Sequence, residues 1–385
     1  MKPLPYGRQE ITDADVEAVV EVLRSDLITQ GPRIEEFEEA MAGYLASRHT
    51  VALSSGTAAL HAAAFAAGLG PGQEAITTPI TFAASANCAR YLGADVRFVD
   101  IDPATWNLDT EAAAAAVSDR TRLIVPVSYA GLPVDLRPLR GVRDRLTVIE
   151  DGCHALGGHR DGVRVGGAGG ADMTAFSFHP VKSMTTGEGG LVSTEDPELA
   201  RRVALFRTHG ITREDIGPGP DDGDWYYEMQ ALGFNYRITD VQCALGLSQL
   251  RRLDSWVERR NRVAARYREL LAGEERIELP PAAPEGSLHG YHLFPVKIRD
   301  GPTARKRAFE ALRAAGIGVQ VHYIPVFRLP YWRDEMAAPQ DECPHAQELY
   351  SGLISLPMFP GLTDADVERV VTELDQALGA RSKIQ

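Results

Sequence analysis

Short runs rich in β-branched residues alternate with helical stretches in the first half of the chain, and this alternation most constrains the fold. Helix-forming segments, such as 56–70 and 108–119, lie between several of the runs. Strands that alternate with helices form a mainly parallel sheet covered by those helices. We therefore expect an α/β fold with a large, mainly parallel, seven-stranded sheet. The runs are TVAL (50–53), EAITTP (74–79), DVRFVDI (95–101), LIVPVSY (123–129), LTVIED (146–151), MTAFSF (173–178) and GGLVST (189–194).

Two connections differ from the helical crossovers. The runs at 173–178 and 189–194 are joined too briefly for a helix to lie between them. The segment GGHRDGVRVGG (157–167), with Asp-Gly at its centre, is typical of a small hairpin.

The character of the sequence changes near residue 249. The segment 239–273 predicts a long, arginine-rich amphipathic helix with a gap or kink, and the proline-rich segment 279–287 follows it. A second β/α unit then continues to the end of the chain. We expect a large domain over 1–248, which includes an N-terminal arm, and a smaller C-terminal α/β domain over 249–385.

Composition excludes several classes of function. The net charge of −13 disfavours nucleic acid as a partner, because phosphate contacts need a basic face. The N-terminal residues do not resemble a signal peptide, and the most apolar stretch, 58–70, is shorter than the roughly 20 residues of a bilayer span. The four cysteines form no CxxC pair, and Cys343 with His345 lacks a second ligand pair nearby. We expect a cytoplasmic protein without a metal or a membrane partner.

Lys182 has an unusual context. The chain contains five lysines and 35 arginines, so positive charge is supplied almost everywhere by guanidinium groups. Lys182 lies between a strand-like run and the glycine-rich turn TTGEGG (185–190). A primary amine that loses its proton and attacks a carbonyl group must be a lysine. A surface lysine in a loop is the alternative at this point.

Further candidate residues follow the predicted strands. In an open parallel sheet, ligands bind beyond the carboxyl ends of the strands, and these ends share one edge. The first of these segments, SSGT (54–57), opens a helix, whose free N–H groups favour a phosphate. The candidates after the other runs are Thr81 and Phe82, then Asp151 and His154, then Ser177, His179 and Lys182.

Each candidate also has a plain structural interpretation. The Ser/Thr residues could be helix caps, Phe82 could pack in the core, and the histidines could be hydrogen-bonded structural residues. The chain has no Walker A motif, and the glycines at 166–172 lack the dinucleotide-binding spacing. Together, however, the candidates supply an amine, a carboxylate, an aromatic ring and a helix N-terminus. Pyridoxal phosphate needs this combination.

These residues lie in segments that resemble the signatures of the DegT/DnrJ/EryC1/StrS family of pyridoxal-phosphate sugar aminotransferases. The resemblance implies fold type I of PLP-dependent transferases, the aspartate aminotransferase type. The segments are LITQGPRIEEFE (27–38), SSGTAALH (54–61), IEDGCHALGG (149–158), SFHPVKSMTTGEGG (177–190) and GFNYRITDVQCALGLSQL (233–250).

Other segments resemble one branch of that family. The branch makes UDP-4-amino-4,6-dideoxy-N-acetyl-β-L-altrosamine for pseudaminic acid. The segments are DWYYEMQALGFNYRITD (224–240), GYHLFPV (290–296) and VQVHYIPVFRLPYW (319–332).

The resemblance implies catalytic roles for Lys182 and Asp151. Lys182 would hold pyridoxal phosphate as a Schiff base and, once released, would move a proton between the donor Cα and the cofactor. Asp151 would pair with the pyridine nitrogen and keep it protonated. His154 would lie near the phenolic oxygen of the cofactor, and Phe82 would stack on its ring.

The remaining implied roles concern binding. Gly56, Thr57 and Ser177 would bind the cofactor phosphate, joined by Asn235 from the other subunit of a homodimer. The pocket wall for the substrate would include Arg237, His322 and Tyr323. The family often has two alanines where this chain has Gly152 and Cys153, which is a departure in local packing.

The expected function is therefore transfer of an amino group from L-glutamate to the C4 keto group of a nucleotide-linked 4-keto-6-deoxy sugar. UDP-4-keto-6-deoxy-N-acetyl-L-altrosamine is the first candidate acceptor. The alternatives are a dTDP- or GDP-linked keto-sugar, a cyclitol, a dehydration, or a non-catalytic regulator that binds the cofactor or a sugar nucleotide. Lys182 disfavours the dehydration, in which a histidine replaces the lysine. The acidic charge and the lack of a helix-turn-helix segment disfavour a DNA-binding regulator.

Overall fold

The computed structural model of the chain describes residues 3–139, 141–142, 146–213, 216, 223, 225–336 and 342–379. The strands are β1 (His49–Leu53), β2 (Glu74–Thr77), β3 (Asp95–Phe98), β4 (Thr121–Val125), β5 (Thr147–Asp151), β6 (His159–Arg160), β7 (Val163–Arg164), β8 (Met173–Ser177), β9 (Gly190–Thr194), β10 (Ile211–Thr212), β11 (Glu228–Met229), β12 (Ile277–Glu278), β13 (Phe294–Ile298) and β14 (Leu353–Leu356).

Helices occur in both the N-terminal and the C-terminal parts of the chain. They are α1 (Asp13–Leu23), α2 (Pro32–Leu45), α3 (Gly56–Ala66), α4 (Ala84–Arg90), α5 (Thr110–Ala115), α6 (Pro197–Arg207), α7 (Asp240–Leu250), α8 (Leu253–Leu270), α9 (Gly301–Ala314), α10 (Pro344–Gly352) and α11 (Asp364–Leu378). None of the helices in the described part of the chain is long and apolar enough to cross a membrane.

The largest element in the described residues is a seven-stranded sheet with the order β1-β9-β8-β5-β4-β2-β3. The strands from β8 to β3 pair in parallel. Strand β9 is antiparallel to both of its neighbours, β1 and β8. The expected α/β fold with a mainly parallel seven-stranded sheet is confirmed.

Strand β9 aligns the carboxyl ends of β1 and β8. Leu53 at the end of β1 and Ser177 at the end of β8 both pair with Gly190. Because β1 and β8 are both antiparallel to β9, they run in the same direction, and the segments that follow them leave the sheet at the same edge. The short connection between β8 and β9 makes the expected antiparallel turn instead of a helical crossover.

Helix α3 packs closely on the sheet because its side chains are small. It is rich in alanine and is buried along most of its length. Its first turn is capped by Ser55, whose Oγ accepts a hydrogen bond from the Ala58 N–H at 3.1 Å. The helix therefore begins at Gly56, directly beyond the carboxyl end of β1.

A smaller three-stranded antiparallel sheet, β12-β13-β14, lies in the C-terminal part of the chain. The apolar side chains of this sheet form one hydrophobic core with side chains of α8, α9 and α11, including Tyr267, Leu312 and Leu374. The predicted helix over 239–273 is two helices, α7 and α8, and the expected break occurs at residues 251–252. The domain boundary near residue 249 stays a prediction.

The N-terminal arm is hydrogen-bonded to this C-terminal part. Leu4 exchanges backbone hydrogen bonds with Gly316 and Gly318, at 2.9 and 2.6 Å. The Met358 N–H donates to the Tyr6 carbonyl oxygen at 2.9 Å. The arm thus runs between the two parts of the molecule before α1 begins.

Several predicted elements are shorter in the structure. Strand β4 ends at Val125, where Pro126 has no N–H to donate, and pairing with β5 resumes at the isolated bridge between Val127 and Asp151. The predicted helix at 56–70 ends at Ala66. The hairpin at 157–167 is confirmed as β6 and β7, with Asp161 and Gly162 at φ values of 50° and 81° in the turn.

Gly190 and Gly43 form a matched pair for a stability test. A Cβ at position 190 would lie 2.2 Å from the Ser55 carbonyl oxygen, whereas a Cβ at Gly43, in helix α2, would meet nothing within 4 Å. We expect Gly190→Ala to lower the free energy of unfolding by about 1–3 kcal/mol. We expect Gly43→Ala to raise it by about 0.5–1 kcal/mol, because alanine restricts the unfolded chain. Denaturant unfolding measures both values, and equal midpoints for the two variants would contradict this packing.

Candidate active site

A cavity of about 600 Å³ lies at the carboxyl edge of the large sheet. It brings together most of the residues that the sequence singled out. The expected residues that line it are Ser54, Ser55, Gly56, Thr57, Thr81, Phe82, Asp151, His154, Ser177, His179, Lys182, His322 and Tyr323. Asn235 and Arg237 are not among its lining residues within this chain.

The turn between β1 and α3 forms one end of the cavity. Gly56 lies so close to Ser177 that a Cβ on Gly56 would be 2.7 Å from the Ser177 Cβ. Ser55 caps Ala58, which leaves the first N–H groups of α3 for a ligand. These donors and the helix dipole favour a phosphate group.

Asp151 lies at the end of β5, with 6% of its surface exposed. Its Oδ2 accepts a hydrogen bond from the Ser85 hydroxyl at 2.6 Å, and its Oδ1 accepts one from the Cys153 N–H at 3.1 Å. Buried carboxylates need such donors, since they lose their hydration. The side chain is thereby fixed towards the cavity, where its remaining lone pairs can accept from a ligand.

Lys182 lies in the turn after β8, where its N–H donates to the His179 carbonyl oxygen at 2.9 Å. Its side chain lines the cavity with Asp151. Burial lowers the pKa of the Lys182 ammonium, and the nearby Cys153 and Asp151 act in the opposite direction. A lowered pKa increases the fraction of neutral amine, which is the nucleophilic form.

Histidine and tyrosine side chains form the opposite wall. The His154 Nε2 lies 3.0 Å from the Tyr323 hydroxyl, and the His322 Nδ1 lies 2.9 Å from the Ser355 Oγ. The His292 ring is 4.6 Å from that of His154. Burial holds the pKa of His154 and His292 well below the ordinary value and lowers that of His322 to about 4. At neutral pH these imidazoles are uncharged hydrogen-bonding groups.

Two aromatic residues lie at the rim of the cavity. Phe82 is 59% exposed, and its ring centroid is 6.3 Å from that of Tyr323. Tyr6, from the N-terminal arm, has its ring 5.5 Å from that of His322. Phe82 is therefore not a core residue, and its position suits it to cover a flat ligand.

The segment that contains Asn235 and Arg237 is held beside the β1–α3 turn. The Ser54 N–H donates to the Tyr236 carbonyl oxygen at 2.8 Å. The rings of Phe234 and Tyr236 pack around His61, with centroid distances of 5.1 and 5.8 Å. Successive side chains of an extended segment point in opposite directions. Asn235, which is exposed, therefore points away from the His61 cluster.

Other residues of the site were not assigned from the sequence. Tyr6, Cys153, Glu188 and His292 also line the cavity. Ser85 binds Asp151 from behind, and its spacing of four residues from Thr81 could have indicated this. His292 lies in the motif GYHLFPV, whereas Tyr6 has no signal in the sequence. Asp224, in the quoted segment 224–240, is outside the described residues.

The arrangement fits pyridoxal phosphate. The N-terminus of α3 offers donors for a phosphate, Asp151 offers a buried carboxylate for a ring nitrogen, and Phe82 offers a face for the ring. Lys182 offers the amine for the aldehyde, and its ammonium makes no hydrogen bond or ion pair with the side chains that the structure describes. No group of His, Cys, Asp and Glu in the described ranges has the arrangement of a metal site.

Comparison with known proteins gives the same class. Residues 9–375 match the DegT/DnrJ/EryC1/StrS aminotransferase family. The chain is 35% identical to the spore coat polysaccharide biosynthesis protein SpsC of Bacillus subtilis, over 96% of this chain and 95% of SpsC.

Solved structures resemble the whole chain. Helicobacter pylori PseC, an aminotransferase involved in the biosynthesis of pseudoaminic acid, has a TM-score of 0.89 and 31% identity, over 98% of this chain and 99% of PseC. The PLP-form of Streptococcus pneumoniae Spr1654 has a TM-score of 0.90 and 29% identity, over 98% and 99% of the two chains.

The fold and the family match define the class of this protein. The expected class, a pyridoxal-phosphate-dependent aminotransferase of fold type I, is confirmed. The chain belongs to the DegT/DnrJ/EryC1/StrS aminotransferase family.

The lowered pKa of Lys182 is directly testable on protein freed of cofactor. We expect acetylation of Lys182 by acetic anhydride to be half-maximal below pH 10.5, the ordinary lysine value, because burial favours the neutral amine. Mass spectrometry of the Lys182 peptide over a pH series measures the midpoint. Asp151→Asn removes a negative charge that favours the ammonium, so its midpoint falls further. A midpoint at or above 10.5 in the native protein would contradict a buried amine.

Proposed function

We propose that this protein transfers an amino group from L-glutamate to the C4 keto group of a nucleotide-linked 4-keto-6-deoxy sugar. The first candidate acceptor is UDP-4-keto-6-deoxy-N-acetyl-L-altrosamine. The observation that carries the proposal is that Lys182 and Asp151 line one cavity together with the N-terminus of α3. An amine, a ring-nitrogen partner and a phosphate site are thus available to a single cofactor.

Each part of the site has a role in the proposed reaction. Pyridoxal phosphate, when bound, supplies the electron sink and carries the amino group. Lys182 Nζ would hold the cofactor and would then move the proton from the Cα of the amino donor. Asp151 would accept a hydrogen bond from the ring nitrogen and keep it protonated. Gly56 and Thr57 would donate backbone N–H groups to the phosphate.

The cavity wall formed by His154, His322 and Tyr323 would orient the substrates. Phe82 would cover one face of the cofactor ring and limit the access of water. The uncharged His154 bonds to Tyr323 and can share a hydrogen bond with the phenolic oxygen of the cofactor. His322 and Tyr323 contact the sugar from the side of the C-terminal sheet. The cavity volume of about 600 Å³ is within the usual range for small-molecule sites.

We further propose that the active unit is a homodimer. Exposed apolar side chains surround the segment of Asn235 and Arg237, and such a concentration favours an interface. They are Trp225, Tyr227, Met229, Leu232 and Phe234. In this arrangement Asn235 of the partner subunit binds the cofactor phosphate, and the partner's Arg237 supplies a cation for an acidic substrate.

The nature of the acceptor is supported by the similar proteins. PseC is involved in the biosynthesis of pseudoaminic acid, and SpsC in the biosynthesis of spore coat polysaccharide. Both favour a sugar acceptor over a cyclitol. A dTDP- or GDP-linked keto-sugar is the second candidate, because SpsC, at 35% identity, belongs to a different process from PseC. Steady-state kcat/KM values for the UDP-, dTDP- and GDP-linked ketones would rank these acceptors.

The amine role of Lys182 predicts a spectroscopic change. The protein with bound pyridoxal phosphate should show a visible absorption band that moves to shorter wavelength when L-glutamate is added. Lys182→Ala should bind the cofactor without this visible band and should lose multiple turnover, because no residue in its place can hold the cofactor or move the proton.

Absorbance spectra and coupled 2-oxoglutarate assays measure these outcomes. Lys306→Ala is a matched control, since Lys306 lies on the outer helix α9 with a side chain that is 75% exposed. A Lys182→Ala protein that turns over repeatedly would overturn the proposed function, as would a protein that binds no pyridoxal phosphate.

The shared site predicts complementation between two inactive variants. Asn235→Asp should lose cofactor affinity, because a carboxylate repels the phosphate, and Asn235 is exposed enough for the change to leave the fold intact. When Asn235→Asp and Lys182→Ala subunits are mixed and reassociated, one site of each mixed dimer has neither lesion. We expect activity to return in proportion to the mixed dimer. A mixture that stays inactive although mixed dimers form would place Asn235 in the site of its own chain.

A further inference from the structure

A chain of buried hydrogen bonds ends on Asp151 from behind the cavity. The Thr81 Oγ1 lies 2.7 Å from the Ser85 Oγ, and the Ser85 Oγ lies 2.6 Å from the Asp151 Oδ2. Thr81 and Ser85 are 2% and 1% exposed. Water therefore does not compete for these hydroxyl groups, and their protons have few other acceptors.

The protons available on each group determine which group donates and which accepts in each of these hydrogen bonds. An ionised carboxylate only accepts hydrogen bonds, so the Ser85 hydroxyl donates its single proton to Asp151. The Ser85 Oγ must then accept from Thr81. The Phe82 carbonyl oxygen, 3.3 Å from the Ser85 Oγ, is a longer alternative acceptor. With an ionised Asp151, the hydroxyl protons of both Thr81 and Ser85 have an acceptor in this series of hydrogen bonds.

Asp151 depends on these donors. Its Oδ1 accepts from the Cys153 N–H at 3.1 Å, and it forms no ion pair within 4 Å in the part of the chain that the structure describes. Fixed hydrogen-bond donors replace the hydration that a buried carboxylate loses and set its direction. Ser85 supplies the shorter of the two bonds, and the Cys153 side chain also lies within hydrogen-bond reach of the carboxylate.

A single turn of the polypeptide contains both the hydroxyl groups that bond towards Asp151 and the aromatic ring of Phe82. Thr81, Phe82 and Ser85 lie in the turn that opens α4, where the Ser85 N–H donates to the Phe82 carbonyl oxygen at 3.2 Å. Phe82 and Thr81 both line the cavity, whereas Ser85 is not among its lining residues. The same turn therefore positions Phe82, which would cover the cofactor ring, and Asp151, which would face the ring nitrogen.

We propose that Ser85, oriented by Thr81, is a positioning residue that holds the Asp151 carboxylate towards the ring nitrogen of the cofactor. It thereby sets how firmly the nitrogen keeps its proton. The inference rests on the proposed function in one respect, namely that Asp151 is the partner of that nitrogen. Without the Ser85 hydroxyl, the carboxylate can turn away from the ring nitrogen, so the nitrogen holds its proton less firmly and the ring becomes a weaker electron sink.

The test uses pyridoxal phosphate labelled with ¹⁵N at the ring nitrogen and bound to the full-length protein. The ¹⁵N chemical shift reports directly whether the nitrogen carries a proton, and a pH series gives its titration. Fluorescence titration gives the cofactor Kd. The variants are Ser85→Ala and Thr81→Val. Ser193→Ala is the matched control, because Ser193 is 1% exposed and its hydroxyl donates to the Gly166 carbonyl oxygen at 2.9 Å, away from the cavity.

We expect Ser85→Ala to shift the ¹⁵N resonance towards the unprotonated position and to raise the cofactor Kd on the order of tenfold. Thr81→Val should move both values in the same direction by less, because it acts through Ser85. Ser193→Ala should match the wild type. A Ser85→Ala protein with a wild-type ¹⁵N titration and Kd overturns the inference. If Ser85→Ala does not fold, an unchanged titration in Thr81→Val overturns it instead.

If the proposed function itself were wrong, the experiment would give a different result from the one that removes only the role of Ser85. In that case the wild-type protein itself would bind no pyridoxal phosphate or would show an unprotonated ring nitrogen at neutral pH. A protonated nitrogen in the wild type that is unaffected by Ser85→Ala would leave the proposed function intact and remove only the role of Ser85.

Discussion

The antiparallel strand β9 is the constraint on which the site depends. By pairing with both β1 and β8 at Gly190, it places Leu53 and Ser177 at the same level of the sheet. The two segments that would bind the phosphate therefore meet side by side. Gly190 has no side chain, which lets the Ser55 backbone cross directly over it. A parallel strand in this position would need a long crossover in place of the short turn that contains Lys182.

Most of the fold could be predicted because its signals are local. The alternation of strand-like and helical segments indicated the sheet, and the short connection before 189–194 and the Asp-Gly turn at 161–162 indicated the antiparallel elements. Strand ends were predicted less well, as at Val125, where the following proline interrupts the pairing. The sequence of 56–70 predicted a helix but not its closeness to β8, which depends on the register of strands far apart in sequence.

The candidate site could be predicted only in part, for a similar reason. Residues at strand ends, such as Asp151 and Lys182, have a position that follows from the sheet rule. Tyr6 and His292 come from segments outside the large sheet, and only the packed structure places them at the cavity. Ser85 was missed because it acts on Asp151 from behind and does not itself line the cavity. The positions of Asn235 and Arg237 relative to a second subunit lie beyond what one chain shows.

The hydrogen bonds of the N-terminal arm have a consequence for the order in which the protein is made. Leu4 and Tyr6 leave the ribosome long before their partners Gly316, Gly318 and Met358 are synthesised. Translation proceeds at about 5–20 residues per second, so the arm remains without these partners for tens of seconds. The large sheet can assemble during that interval, but the cavity wall that contains Tyr6 is completed only after the segment with Met358 has been synthesised.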